Sequence, residues 1–132
     1  MIKISKQIDY AFQLIAELAK LKNNVSLSLK KFSLNSSISF LFLQKIAKLL
    51  REAGIIRSIK GKNGGYMLIK PAEKISVKEV IEAVEGSYSA VNCVSRVKRC
   101  EKNKQCNMKS GFQIINKQII EYFEKLKITD IL

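Results

Sequence analysis

Residues 37–69 read SISFLFLQKIAKLLREAGIIRSIKGKNGGYMLI, and the change of period inside this stretch decides the fold. From near Ser37 to Ala53 the apolar residues Phe40, Leu43, Ile46, Ala47 and Leu50 recur at three- and four-residue spacing, so they share one face of a helix. Gly54 follows, a residue able to take the left-handed conformation that closes a helix. Then the spacing shortens. Ile55-Ile56-Arg57-Ser58-Ile59-Lys60 and Tyr66-Met67-Leu68-Ile69 are rich in β-branched and aromatic side chains. Gly61-Lys62-Asn63-Gly64-Gly65 lies between them, which predicts a hairpin with a glycine-rich tip.

Upstream, Ser5 caps a first helix whose apolar residues Ile8, Ala11, Phe12, Ile15, Leu18 and Ala19 fall at helical spacing, ending at Lys22-Asn23-Asn24. Ser28 is a good N-cap for a brief helix through about Leu34, and Asn35-Ser36-Ser37 reads as a turn. Downstream, Pro71 ends the hairpin unit, and Ser76-Val77-Lys78-Glu79 is a capping box opening a helix that stops at Gly86. Residues 87–111 show little periodicity and hold every cysteine. A last helix from Phe112 carries Ile115, Ile119, Tyr122, Phe123 and Leu126 on one stripe. Helix, short helix, turn, long helix and hairpin make a winged helix-turn-helix, mainly α with a small β-hairpin wing. In that fold the third helix enters the major groove and the wing lies along the backbone or minor groove. Helix pairs of this kind also occur in small domains that never touch DNA.

Charge sharpens the reading. The chain of 132 residues has a formal net charge of +13, which invites a polyanionic partner. Of its 24 basic residues 20 are lysine, a bias that genome base composition also produces, so position carries more than the total. Residues 1–70 hold 13 Lys/Arg against 3 acids, and residues 71–132 hold 11 against 8, so the excess lies in the helix-turn-helix half. The N-terminus lacks the apolar run of a signal peptide and no stretch is long enough to span a bilayer, so a cytoplasmic protein is expected. Three cysteines, an odd number, argue against a disulfide framework and for metal or redox chemistry. With no histidine, no nucleophile motif and no phosphate-binding loop opening a helix, an enzyme has little to work with. An RNA-binding module would expose stacking aromatics, whereas most of the 6 Phe and 4 Tyr fall on helix faces expected to be buried.

Several stretches carry a family likeness. Asp9-Tyr10-Ala11, Phe42-Leu43-Gln44-Lys45-Ile46, Ala53-Gly54-Ile55-Ile56, Gly61-Lys62-Asn63-Gly64-Gly65-Tyr66 and Val80-Ile81-Glu82-Ala83-Val84-Glu85-Gly86, with the three cysteines after them, resemble the IscR, NsrR and CymR regulators. The likeness runs through essentially the whole chain in the same order. It implies a DNA-binding transcription regulator, most simply a repressor, acting as a homodimer with crossed C-terminal helices on a palindromic operator in double-stranded DNA. The implied organisation is a winged helix-turn-helix over 1–86, a cysteine-bearing cluster-binding loop over 87–111, and a dimerisation helix and tail over 112–132.

Candidate DNA contacts are Ser28 at the second helix, Ser37, Ser39, Leu41, Gln44, Lys45 and Lys48 along the third, and Lys60, Lys62, Asn63, Gly64 and Gly65 in the wing. Short hydroxyls suit phosphate or base-edge contacts, and Gln44 can pair with adenine through two hydrogen bonds. For each residue a solvated or partly packed side chain is the plainer reading. Relatives often carry arginine before the wing glycine where this chain has Lys60, which offers a point charge in place of a planar fork.

Cys93, Cys100 and Cys106 are spaced C-x6-C-x5-C, with no CxxC pair to suggest a zinc ribbon or a thioredoxin-like couple. Three thiolates on one segment can hold a soft metal centre, and the neighbouring Arg96, Lys98, Arg99, Lys102, Lys104 and Lys109 face one acid, Glu101. Free reduced thiols are the alternative. The resemblance implies an iron–sulfur cluster, 4Fe-4S by preference and 2Fe-2S as the other option, sensing nitric oxide, redox state or cluster supply. An IscR-like Cys3His site cannot form without histidine, and Lys109 stands at the family position three residues after the last cysteine. NsrR-like proteins instead use an aspartate from the first helix of the partner subunit, and this chain has Asp9 at that place. By itself Asp9 reads as a helix-start acid favouring the dipole. A CymR-like regulator without a cluster, responding to cysteine status, is the rival within the same fold.

Overall fold

The computed structural model describes residues 3–90, 94 and 105–132. Helix α1 spans Lys6–Lys20, and Ser5 caps it by accepting a hydrogen bond at Oγ from the Ile8 N–H at 3.2 Å. The helix buries Ile8, Ala11, Leu14, Ile15 and Leu18. Phe12 and Ala19, expected on the same stripe, are half-buried flanks, and Leu14 takes the centre.

Helix α2 spans Leu29–Ser36 behind an N-cap at Ser28, whose Oγ accepts from the Lys31 N–H at 3.4 Å. It runs through Asn35 and Ser36, two residues the sequence reading placed in a turn. The Ser36 hydroxyl donates back to the Phe32 carbonyl at 2.7 Å, so the serine stays within the helix. The turn proper is Ser37–Ser39. Ser37 adopts left-handed backbone at φ 60°, Ile38 is buried, and the Ser33 hydroxyl donates to the Ile38 carbonyl at 2.6 Å.

Helix α3 spans Phe40–Glu52, starting later than its periodicity predicts because the left-handed Ser37 interrupts the helical path. Leu43, Ile46, Ala47 and Leu50 are each 0% exposed, whereas Phe40, expected on that face, is 39% exposed at the first turn. Gly54 takes φ +73° beyond the C-cap Ala53. The Gly54 N–H donates to the Arg51 carbonyl and the Ile55 N–H to the Leu50 carbonyl, both at 3.0 Å, so the last carbonyls of the helix are satisfied.

Strands β1 (Ile56–Ile59) and β2 (Gly65–Leu68) pair antiparallel with Ile56 opposite Leu68 and Ile59 opposite Gly65. Leu27, in the connection before α2, adds a bridge to the free edge of β2 through two hydrogen bonds with Tyr66, at 2.8 and 2.9 Å. A 3-10 turn at Ala72–Lys74 leads to α4, Val77–Glu85. The predicted capping box is present: Ser76 Oγ accepts from the Glu79 N–H at 3.1 Å, and Glu79 accepts from the Ser76 N–H at 2.8 Å. Glu79 also pairs with Lys70 at the foot of the hairpin, joining wing and α4. Burial pushes the Glu79 carboxyl up, but hydrogen bonds from Lys70 and from the Ser76 backbone and hydroxyl outweigh it and hold the pKa below its ordinary value.

Helix α5 spans Lys109–Lys125, one turn longer at its start than predicted, and a last turn α6 covers Ile128–Ile131. The chain end returns to the core. The Val77 N–H donates to the Leu126 carbonyl and the Ile128 N–H to the Ile75 carbonyl, both at 2.9 Å, and Ile128 is 1% exposed. One hydrophobic core thus joins α1 to α4, the hairpin base and Ile128.

Candidate nucleic-acid interface and cysteine segment

Burying Leu43, Ile46, Ala47 and Leu50 turns the opposite side of α3 outward. Leu41, Gln44, Lys45 and Lys48 are all exposed there, with Ser37 and Ser39 exposed in the turn leading into the helix. Ser39 is the N-cap but makes no side-chain capping bond, so its hydroxyl is not committed to the helix. Ser28 is committed: its hydroxyl caps α2. Lys45 sits with its ammonium 5.9 Å from the Phe42 ring centre, and Phe42 packs edge-on against Tyr10 at 5.2 Å. That stack ties the recognition face to α1.

Lys60, Lys62 and Asn63 are exposed at the hairpin tip. Lys45 and Lys48 of α3 and Arg57, Lys60 and Lys62 of the hairpin are all exposed cations. Among the described residues only Lys48 of this set has a carboxylate in range, Glu52 at 4.0 Å. Gly64 and Gly65 carry an architectural demand besides any contact with DNA. A Cβ on Gly64 would press on the Ile59 carbonyl, and one on Gly65 on the Leu27 carbonyl, each well under 3.0 Å. Close backbone approach therefore requires glycine where the wing meets the edge bridge. Ser26, absent from the sequence-predicted set, donates from its hydroxyl to the Asn63 carbonyl at 2.6 Å and steadies the tip from outside the hairpin. A single serine between Val25 and Leu27 left no sequence signal.

Of the proposed cluster ligands, Cys93 and Cys100 lie outside the described residues. Cys106 is half-buried in the turn before α5, and its carbonyl accepts from the Lys109 N–H at 3.3 Å. Asp9 is exposed on α1, where one carboxylate oxygen accepts from Gln13 Nε2 at 2.9 Å. Among the described residues no three His, Cys, Asp or Glu side chains lie close enough to hold a metal ion. The other end of the cysteine segment is anchored by Asn116, the one buried residue of α5. Its Oδ1 accepts from the Ala90 N–H at 2.8 Å and from the Ser89 hydroxyl at 3.3 Å. An asparagine one step from an apolar stripe was the available signal for it.

Along α5, Ile114, Ile115 and Tyr122 are 58%, 45% and 62% exposed, while Ile119, Phe123 and Leu126 are half-buried. All the aromatic side chains except Phe40 and Tyr122 are at least half-buried. No helix among the described residues is long and apolar enough to cross a membrane.

Comparison with known proteins agrees with this geometry. The model of the Rrf2 family, described as iron-dependent transcriptional regulators, matches residues 4–132. The HTH-type transcriptional regulator NsrR of Shouchella clausii is 28% identical over 127 residues, covering 96% of this chain and 83% of the relative. The solved structure of CymR, the global cysteine regulator of B. subtilis, superposes with a TM-score of 0.77 at 27% identity, covering 99% of this chain and 96% of that one. T. potens IscR gives a TM-score of 0.75 at 25% identity, covering 98% and 85%. The chain belongs to the Rrf2 family. It is a winged-helix transcriptional regulator and not an enzyme.

Proposed function

We propose that this Rrf2-family protein represses transcription as a homodimer on a palindromic operator, with its DNA affinity set by an iron–sulfur cluster. The ligands are Cys93, Cys100 and Cys106 of one subunit and Asp9 of the partner subunit. The turn before α3 supplies Ser37 and Ser39 to the DNA, α3 supplies Leu41, Gln44, Lys45 and Lys48, Ser28 stands at the start of α2, and Lys60, Lys62, Asn63, Gly64 and Gly65 form the wing contact.

The observation that carries this reading is the placement of Cys106. It lies half-buried at the turn that starts α5, the helix whose Ile114, Ile115 and Tyr122 face outward. Cys106 therefore lies in the turn next to the helix that carries an apolar surface suited to a second copy. The donor set fits a soft centre: three cysteines, a basic segment that favours thiolates, and no histidine to compete. When bound, such a group supplies a thiolate-ligated centre sensitive to redox state and nitric oxide, with a carboxylate as its hardest ligand. Asp9 lies on α1, and α1 packs on α3 and α4, so a tie between Asp9 and the cysteine segment of the partner subunit bears on the position of the recognition helix. A coupling of about 1–3 kcal/mol would change operator occupancy by one to two orders of magnitude.

The test is iron and acid-labile sulfide per chain in protein purified without oxygen, with duplex-DNA affinity measured on the same samples and on Asp9→Ala. About four of each supports a 4Fe-4S centre, and about two supports 2Fe-2S with a different fourth ligand. An Asp9→Ala protein with unchanged cluster, nitric oxide response and DNA affinity rules out the Asp9 assignment. The likeness to CymR favours a second reading, a cluster-free regulator responding to thiol or cysteine status. Specific DNA binding by protein without iron would select it.

A further inference from the structure

We propose that Leu41 reads the methyl group of thymine in the major groove, with Gln44 taking the adenine of the same or the neighbouring base pair. The proposal rests on the DNA-binding reading of α3 and assigns a base preference to it. Leu41 is 77% exposed, although the helix it belongs to buries four side chains completely. It is the second residue of α3, at the end of a recognition helix that meets base edges first. Partly exposed Phe40 precedes it and exposed Gln44, Lys45 and Lys48 follow it, so Leu41 is the most exposed apolar side chain of α3, beside a polar and cationic stretch.

A leucine side chain has no donor or acceptor and gains nothing from phosphate oxygens, from the N7 and O6 acceptors of guanine, or from exocyclic amines. The apolar group that a base pair presents in the major groove is the thymine C5-methyl. Gln44 lies three residues further on and therefore on the same face of the helix. The rise between the two is about 4.5 Å along the helix axis, comparable with a base-pair step of about 3.4 Å. The glutamine amide holds a donor and an acceptor that match adenine N7 and N6, and an A·T pair offers both complements on one edge. The cationic side chains around them draw the duplex in without distinguishing sequence. Leu41 and Gln44 then choose within it.

The experiment starts from a random-sequence duplex pool selected on the full-length protein. Each thymine of the best-enriched duplex is then replaced by deoxyuridine, which removes the methyl and keeps base pairing. The expected result is at least one position where uracil weakens wild-type binding about three- to fivefold, the value of one buried methyl. Leu41→Ala should bind the thymine and uracil duplexes equally there. It should also keep the wild-type dependence of affinity on salt, because no phosphate contact is lost. Gln44→Ala should lose the preference for adenine at that pair or the next. A wild-type protein indifferent to uracil at every position overturns the assignment, as does a Leu41→Ala protein that keeps the full uracil penalty. A pool that yields no enriched duplex overturns the DNA-binding reading beneath it, so the two failures are distinct.

Discussion

Helices α3 and α5 are both amphipathic in sequence, yet the molecule treats them in opposite ways. The inner face of α3 disappears: Leu43, Ile46, Ala47 and Leu50 are each 0% exposed against α1, α2, α4 and the hairpin. α5 is longer, at 17 residues against 13, and packs on α4. It buries only Asn116 and leaves Ile114, Ile115 and Tyr122 outward. An apolar stripe states that a helix has a surface to cover; it does not state whose atoms cover it. For α3 the cover is the same chain. For α5 the proposed second copy supplies the rest.

The strongest way to break this contrast is to truncate both helices. Ile46→Ala should lower stability by about 2–5 kcal/mol in denaturant unfolding, because it removes a fully enclosed side chain and leaves a cavity. Ile115→Ala should cost far less in a dilute monomer, and Ile115→Lys should shift self-association toward monomer in sedimentation analysis. If the two alanine variants were equally destabilised at concentrations where the chain is monomeric, α5 would be as enclosed as α3 and the contrast would fail.

A smaller effect is expected at Asn116. Asn116→Ala should cost about 1–2 kcal/mol, since the half-buried Ala90 N–H loses its acceptor. Amide exchange should quicken at Ala90 while the amides of α3 keep their protection. Uniform loss of protection would mean that α5 and the head unfold as one unit.

The smallest effect belongs to α4, the element packed against both helices. Glu79→Gln weakens the capping box and the tie to Lys70, and should cost about 1 kcal/mol near neutral pH. The side chain is 41% exposed, so salt screening trims the ion-pair share. The folded-state pKa is held down, so the stabilisation is complete above the ordinary value of 4.5 and is lost as pH falls through the lower folded-state value. Wild type and variant should therefore differ at neutral pH and converge in acid. A gap that widened on acidification would show that the carboxylate is not the stabilised form.

Much of the head was legible from residue order because its devices are local. Gly54 after a helical stripe, the Ser76–Glu79 box and the Gly-rich hairpin tip each specify backbone within a few residues. Departures came where contacts are distant. Phe40 fits the stripe of α3 but occurs in its first turn, beyond the reach of the core. Asn35 and Ser36 carry turn propensity, yet α2 continues through them before the chain reverses at Ser37. The edge bridge from Leu27 to Tyr66 and the return of Ile128 to Ile75 join residues far apart in sequence, and no local pattern marks either one.

The candidate site divides in the same way. Residue types alone pointed to Gln44, Lys45, Lys48, Lys60 and Lys62, because a long apolar stripe leaves the remaining face polar and a hairpin tip is exposed by construction. The same residue types gave the three cysteines and the missing histidine, and hence the donor chemistry open to the chain. Tertiary structure decided the matters that depend on who packs against whom. It pinned the wing through Ser26 and set Asn116 under the Ala90 N–H. It also placed Cys106 at the foot of a helix whose Ile114, Ile115 and Tyr122 the described residues leave exposed. Periodicity and side-chain chemistry are carried by neighbouring residues, so the sequence alone determines them. Exposure is a property of the packed whole, and only the fold can assign it.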